Sequence, residues 1–211
     1  MRPSDSLPGI GAPVAPALPE FSHIRRAFDA TRNATVARLL PGEYYITKQD
    51  ELIFTVLGSC VSACVRDRKL GIGGMNHFML PQDRSGGGAG WADNVANSAT
   101  RYGNVAMERL VRGILMLGGE RENLEFKVVG GGKVLDTAID VGGKNVQFVR
   151  DYLAAQGYPI TAEDLGDCFA RKVYYNPMTG AMRVKRLATT YNTTVYEREQ
   201  QFSFDPTLVG P

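Results

Sequence analysis

The chain has 211 residues, and its 24 basic and 22 acidic side chains give a formal net charge of +2 at pH 7. This balance argues against a nucleic-acid-binding or membrane-surface protein, since either would carry a marked basic excess. Its 44% hydrophobic and 22% charged residues are typical of a globular protein whose core folds without disulfides or metals.

The cysteine content and the N-terminus predict a cytoplasmic protein. Three cysteines, Cys60, Cys64 and Cys168, are too few and too uneven in number for a disulfide framework. The first residues lack the apolar run of a signal peptide. Apolar runs also stay well short of the ~20 residues that span a membrane.

Composition divides the chain into three parts. Residues 1–20 hold five of the eleven prolines, which is typical of a disordered leader. We therefore expect a Pro-rich, flexible leader over residues 1–40 and one folded domain over residues 41–190. A polar C-terminal tail without a clear pattern should occupy residues 191–211.

In chain order, the first half of the domain is dominated by strand patterns. Residues 44–47 and 52–57 are rich in β-branched and aromatic side chains, so both predict strands. Residues 60–65 fit either a short helix or a returning strand. A glycine-rich strand is expected over residues 70–80.

Two helical patterns punctuate the second half. Apolar spacing predicts helices over residues 94–117 and 145–155, each ended by glycine. Short strand patterns occupy the remaining segments, at residues 124–129, 158–161, 173–175 and 182–187. The fold class is therefore α+β, with layered mixed β-sheets flanked by helices.

The reactive residue types concentrate around Cys60 and His77, which is one of only two histidines. A thiol needs a neighbouring base to become a thiolate near neutral pH. Gly58 and Ser59 end the preceding strand and should expose Cys60 at a turn. A helix beginning there would offer free N–H groups that lower the thiol pKa and hold an oxyanion. Two paired strands would bring Cys60 and His77 together.

Other interpretations fit the same residues. An isolated cysteine is most often a buried core residue. Cys60, Cys64 and His77, with Cys168 as a fourth ligand, form an alternative zinc site, although structural zinc sites usually have closer cysteine pairs. Residues 130–133 are similar to a phosphate-binding loop, but the next residue lacks the required hydroxyl, so a structural turn is favoured.

Seven segments within residues 42–187 carry a family signature, at residues 57–60, 73–75, 77–81, 127–132, 141–145, 171–173 and 179–180. The cysteine segment followed by the histidine segment is the most specific part. Together these segments resemble the chemoreceptor glutamine deamidases, the CheD family.

This resemblance implies a fold shared with toxin-type cysteine deamidases and a Cys-His-Thr triad. Cys60 and His77 match the first two members. Thr55 is the only threonine on the strand before the cysteine, and it is the expected third member. Some members of the family carry the threonine one residue earlier, where this chain has Phe54, and a shift of one residue in a strand points to the opposite face. The alternative is that Thr55 is a strand residue without a catalytic role.

The resemblance also implies an activity and its partners. Cys60 would attack a glutamine side chain of a methyl-accepting chemoreceptor, with backbone N–H groups around Gly58 and Ser59 holding the oxyanion and His77 handling protons. No cofactor or metal is expected. An alternative is an adaptor that binds a chemotaxis phosphatase with little catalysis. A cysteine peptidase or acyltransferase would use the same dyad, and only product analysis separates them.

Overall fold

The computed structural model describes residues 14–80, 89–134, 140–189 and 192–201, and for residues 89–101, 192, 200 and 201 it describes the backbone alone. The first part of the chain is β-rich and ends in a long helix. Its elements are β1 (Arg25–Asp29), β2 (Ala34–Arg38), β3 (Tyr44–Thr47), β4 (Leu52–Leu57), β5 (Val61–Asp67), β6 (Gly73–Asn76) and α1 (Ala89–Met116).

Strands and helices alternate in the second part. They are β7 (Leu124–Gly130), α2 (Val141–Ala155), β8 (Ile160–Leu165), β9 (Arg171–Tyr175), β10 (Met182–Arg186) and α3 (Asn192–Gln201). None of the helices in the described ranges is both long enough and apolar enough to cross a membrane.

The strands form two five-stranded mixed sheets. One has the order β1-β2-β4-β9-β10, and the other has the order β3-β6-β5-β7-β8. β2 runs parallel to β4, and β7 runs parallel to β8, whereas the other neighbours are antiparallel. This confirms the predicted α+β class with mixed sheets.

Burial patterns show how the layers stack. β5 is buried at almost every position, whereas β4 alternates between buried and partly exposed residues. A strand buried on both faces must lie in a middle layer, and an alternating strand faces the core on one side only. α1 and α2 contact β5, and one continuous hydrophobic core joins both sheets. The sheet containing β5 therefore lies between the two helices and the sheet containing β4.

Two domain boundaries differ from the sequence-based prediction. The fold begins before residue 41, because residues 14–40 contain β1 and β2 and bury Phe21 and Ala37 in the core. β1 is charged and sits at a sheet edge, which hides its strand pattern. At the other end, the predicted tail contains α3, of which Val195 and Glu199 are buried. Residues 1–13 and 202–211 lie outside the described residues.

Candidate active site

Thr55 and His77 meet in the buried centre of the molecule. In β4, Ile53, Thr55 and Leu57 point inward while Phe54 packs its ring on Tyr174 of β9 at 4.6 Å between centroids. The strand alternation therefore selects Thr55 over Phe54 for the inner face. Thr55 Oγ1 lies 2.8 Å from His77 Nδ1.

Hydrogen bonding determines which nitrogen of His77 carries the proton. Thr55 Oγ1 donates its single proton to the carbonyl of Leu39 at 3.0 Å, so toward His77 the hydroxyl acts as an acceptor. His77 must then hold its proton on Nδ1 and keep the Nε2 lone pair free. Nε2 is buried and has no hydrogen-bond partner. Burying a basic nitrogen without a hydrogen-bond partner costs free energy, so a functional role is the natural explanation for it.

Cys60 directly precedes β5, and strand pairing brings it near His77. Val61 and Phe78 form an antiparallel bridge, with N–H···O distances of 3.0 Å in both directions. Cys60 and His77 flank the two bridged residues, so their side chains share the opposite face. Residues 61–67 form a strand, which resolves the ambiguity over residues 60–65. The conditional helix at Cys60 is absent, so a helix N-terminus does not supply the N–H groups there.

A short turn over residues 58–60, here called the oxyanion loop, supplies these N–H groups instead. Its three carbonyls are held from behind: Gly132 N donates to Gly58, Asn145 Nδ2 to Ser59 and Gly131 N to Cys60, at 2.7–2.8 Å. In a trans peptide the N–H points away from the preceding carbonyl. Tying the Gly58 and Ser59 carbonyls therefore aims the N–H groups of the following residues, Ser59 and Cys60, into the site.

The carboxylate of Glu199, from α3, occupies the space in front of this loop. Oε1 accepts from Gly58 N at 2.7 Å and from Cys60 N at 3.2 Å. Oε2 accepts from Ser59 N at 3.0 Å and from Ser59 Oγ at 2.8 Å. Oε1 is also 4.0 Å from His77 Nε2. Three backbone N–H groups converging on one carboxylate form an anion-binding pocket beside Cys60.

Burial sets the protonation states of the pair. Desolvation raises the pKa of the Cys60 thiol well above its usual value, and the adjacent Glu199 carboxylate raises it further. Burial lowers the pKa of His77 to about 3. In this conformation the pair is therefore a neutral thiol and a neutral imidazole. A proton must move from sulfur to Nε2 before the thiolate can act as a nucleophile.

The alternative zinc site, with Cys60, Cys64, His77 and Cys168 as ligands, is not assembled in the structure. The ligand atoms of Cys60, His77 and Glu199 lie within 4.8 Å of one another, but among the described residues neither Cys64 nor Cys168 joins that group. Each oxygen of Glu199 already accepts two hydrogen bonds, which uses the four lone pairs of a carboxylate. The arrangement therefore suits an oxyanion better than a metal ion.

The glycine run over residues 130–132, at the end of β7, holds the oxyanion loop in place. Gly130 has φ +113°, and a side chain there would clash with the carbonyl of Cys60. Glycine is required for this close approach. The role of Gly131 and Gly132 as donors to the loop could not be deduced from the sequence, nor could that of Asn145. Glu199 was missed as well, because it lies in a polar segment without periodicity.

Comparisons with known proteins find similar sequences over most of the chain. Residues 79–186 match the family model described as CheD chemotactic sensory transduction. A protein of Halorhodospira halophila described as a probable chemoreceptor glutamine deamidase CheD is 48% identical over 192 residues, covering 91% of this chain and 88% of its own. A protein of Herminiimonas arsenicoxydans with the same description is 52% identical over 178 residues, covering 83% and 85%. The first of these alignments is long enough to span Cys60 and His77, which precede the family-model match.

Proposed function

This chain belongs to the CheD family, and from that premise we propose that it is an amidohydrolase that converts glutamine side chains of chemoreceptors to glutamate. The proposed catalytic groups are Cys60 as nucleophile, His77 as general base and acid, and Thr55 as the residue that positions His77. The N–H groups of the oxyanion loop, at Gly58, Ser59 and Cys60, would bind the oxyanion.

One observation carries this proposal: a pocket that binds a side-chain carboxylate lies directly beside a buried Cys-His pair. Glu199 fills it with the group that glutamine hydrolysis produces. Thr55 holds Nδ1 of His77 and leaves Nε2 available to the thiol. A nucleophile, a base, an orienting group and oxyanion donors are the parts that acyl transfer from a carboxamide requires.

Acylation follows from these groups. His77 Nε2 takes the thiol proton, and the Cys60 thiolate attacks the side-chain carbonyl carbon of a substrate glutamine. The carbonyl oxygen becomes an oxyanion and receives hydrogen bonds from the oxyanion loop. His77 then gives its proton to the departing nitrogen. The carbon–nitrogen bond breaks, ammonia leaves, and a thioester to Cys60 remains.

Hydrolysis completes the cycle with the same residues. His77 Nε2 takes a proton from water, and the resulting hydroxide attacks the thioester carbonyl. The carbon–sulfur bond breaks, Cys60 regains a proton, and the new side chain leaves as glutamate. Each step uses only side chains, backbone N–H groups and water, so the proposed chemistry calls for neither a cofactor nor a metal.

A second candidate function is an adaptor that binds a chemotaxis phosphatase with little catalysis. The observation that favours it is that Glu199 fills the pocket beside Cys60. A substrate cannot reach the thiol in this conformation. Both functions concern chemotactic signalling, and for both we expect the chain to act in the cytoplasm, where the modified regions of chemoreceptors lie.

Ammonia release from a chemoreceptor cytoplasmic fragment tests the proposal. We expect release by the native chain and none by Cys60→Ala. Cys64→Ala is the matched control, since Cys64 is equally buried on β5 but lies outside the catalytic group. Equal ammonia release by Cys60→Ala and the native chain would contradict the assignment. Absence of release from both, with retained phosphatase binding, would favour the adaptor.

A further inference from the structure

Among the described elements that contact the site, α3 is the one to which the proposed reaction assigns no task. It carries Glu199, a residue that is only 1% exposed, and Val195 one helical turn earlier. Residues four apart lie on the same face of a helix. That face therefore turns toward the oxyanion loop, while Glu197 and Arg198 of the same helix are exposed.

Two contacts hold α3 against the rest of the protein. Val195 packs with Val134 and Ala170 in a small hydrophobic cluster separate from the main core. At Gly58 a Cβ atom would lie 3.0 Å from Glu199 Oε2 and 3.1 Å from Val195 Cγ1, so a side chain there would crowd the helix. Because this cluster is separate from the main core, α3 can dissociate without exposing the main core.

The bound group has the chemistry of the reaction product. Glu199 presents a glutamyl carboxylate, on a helix, to all three N–H groups of the oxyanion loop. We propose that α3 is a built-in product mimic, which closes the active site until a helix bearing a substrate glutamine displaces it. This proposal rests on the deamidase function and identifies the class of side chain and backbone that the site accepts.

Closure has two chemical effects on the site. It fills the space that a substrate carboxamide would take, and it places a carboxylate beside the thiol, which disfavours the thiolate. Dissociation of α3 from the oxyanion loop removes both effects at once. The competitor must offer a glutaminyl side chain that reaches the same four donors, and a helix is the backbone already known to fit there.

A direct consequence is that glutamine at position 199 becomes a substrate in the same molecule. In Glu199→Gln, the Cys60 thiolate attacks Cδ of the new side chain, ammonia leaves, and water hydrolyses the thioester to restore glutamate. The measurement is residue-level mass spectrometry of the purified full chain over time. Native Gln200 and Gln201, which follow directly, report non-specific deamidation in the same peptide.

We expect glutamate, or a trapped thioester to Cys60, at position 199 in Glu199→Gln and neither in Glu199→Gln combined with Cys60→Ala. Glu197→Gln is the matched control, because its side chain lies on the exposed face and should stay an amide. Glutamine that persists at position 199 would overturn the product-mimic proposal. Ammonia release from the chemoreceptor fragment by the native chain reports separately on the deamidase function.

Release of the helix tests closure itself. Val195→Asp places a charge in the small cluster that seats α3 and leaves the catalytic groups unchanged. If the closed state holds about nine molecules in ten, releasing α3 raises kcat/KM by about tenfold, because only the open fraction binds substrate. Alkylation of Cys60 should accelerate in parallel, and Val195→Ala should show the same direction. Unchanged alkylation and kcat/KM in both variants would contradict closure.

Discussion

Thr55 is the residue through which the proposed mechanism can be tested most finely. Its hydroxyl accepts from His77 Nδ1 and donates to the Leu39 carbonyl. Thr55→Val keeps the branched shape and removes both hydrogen bonds. His77 can then place its proton on Nε2 instead, and in that tautomer it cannot accept the proton of the thiol.

The magnitude follows from the hydrogen bond that is lost. Leaving a buried polar group unsatisfied costs about 1–3 kcal/mol, which corresponds to about a 5- to 150-fold loss in kcat/KM. Thr55→Ser keeps the hydroxyl and should retain more activity than Thr55→Val. His77→Ala should lose more, because a general base typically contributes about 10²–10⁴-fold. Residues acting as a unit are non-additive, so the double variant should be hardly worse than His77→Ala alone.

The assay is ammonia release from a chemoreceptor fragment as a function of pH. Thr161→Val is the matched control, since Thr161 also donates from a strand to a backbone carbonyl, that of Phe126 at 2.9 Å, but contacts no histidine. The control should lose stability without losing kcat/KM. Full activity in Thr55→Val with an unchanged pH profile would refute the reasoning and make Thr55 a plain strand residue.

Three further outcomes are expected. Burial lowers the pKa of His77 to about 3, whereas in the unfolded chain it stays near 6.5. Between these two pH values the unfolded state therefore binds one more proton than the folded state. The free energy of unfolding should fall as pH drops from 6.5 toward 3, and it should fall less steeply in His77→Asn. Asn145→Ala frees one carbonyl of the oxyanion loop and should lower kcat more than it raises KM, a split that a purely structural loss would not produce. Glu51→Ala removes the buried carboxylate that pairs with Arg26 at 2.7 Å and should cost about 3–5 kcal/mol in urea unfolding, whereas Asp29→Ala breaks an exposed pair with Arg32 and should change the free energy of unfolding far less.

The elements with strong periodicity were predictable, and the boundaries were not. β4 and β7 have alternating β-rich patterns, and α2 has a clear apolar face, so their existence follows from local sequence. Residues 61–65 lie in β5, a strand that is covered on both faces, and local pattern cannot indicate such a strand. β1 was missed because a charged edge strand lacks the hydrophobic alternation that marks a half-buried one.

The candidate site shows the same division. Cys60 and His77 stand out because their residue types are rare and their segments glycine-rich, and strand alternation turns Thr55 inward. Glu199 contacts Gly58 across 141 residues, from a helix that is polar over most of its surface. Contacts over such a distance depend on the whole topology, so nothing near Glu199 in the sequence marks it.

The fate of the substrate carbonyl in water labelled with heavy oxygen tests the central claim most directly. A chemoreceptor fragment incubated with the native chain should gain glutamate at specific glutamines, each carrying one heavy oxygen in its side chain, with the peptide backbone intact. Cys60→Ala should produce none. Backbone cleavage would identify a peptidase, and transfer of the acyl group to an amine would identify an acyltransferase. Either result, or equal labelling with Cys60→Ala, would contradict a Cys60-dependent glutamine deamidase.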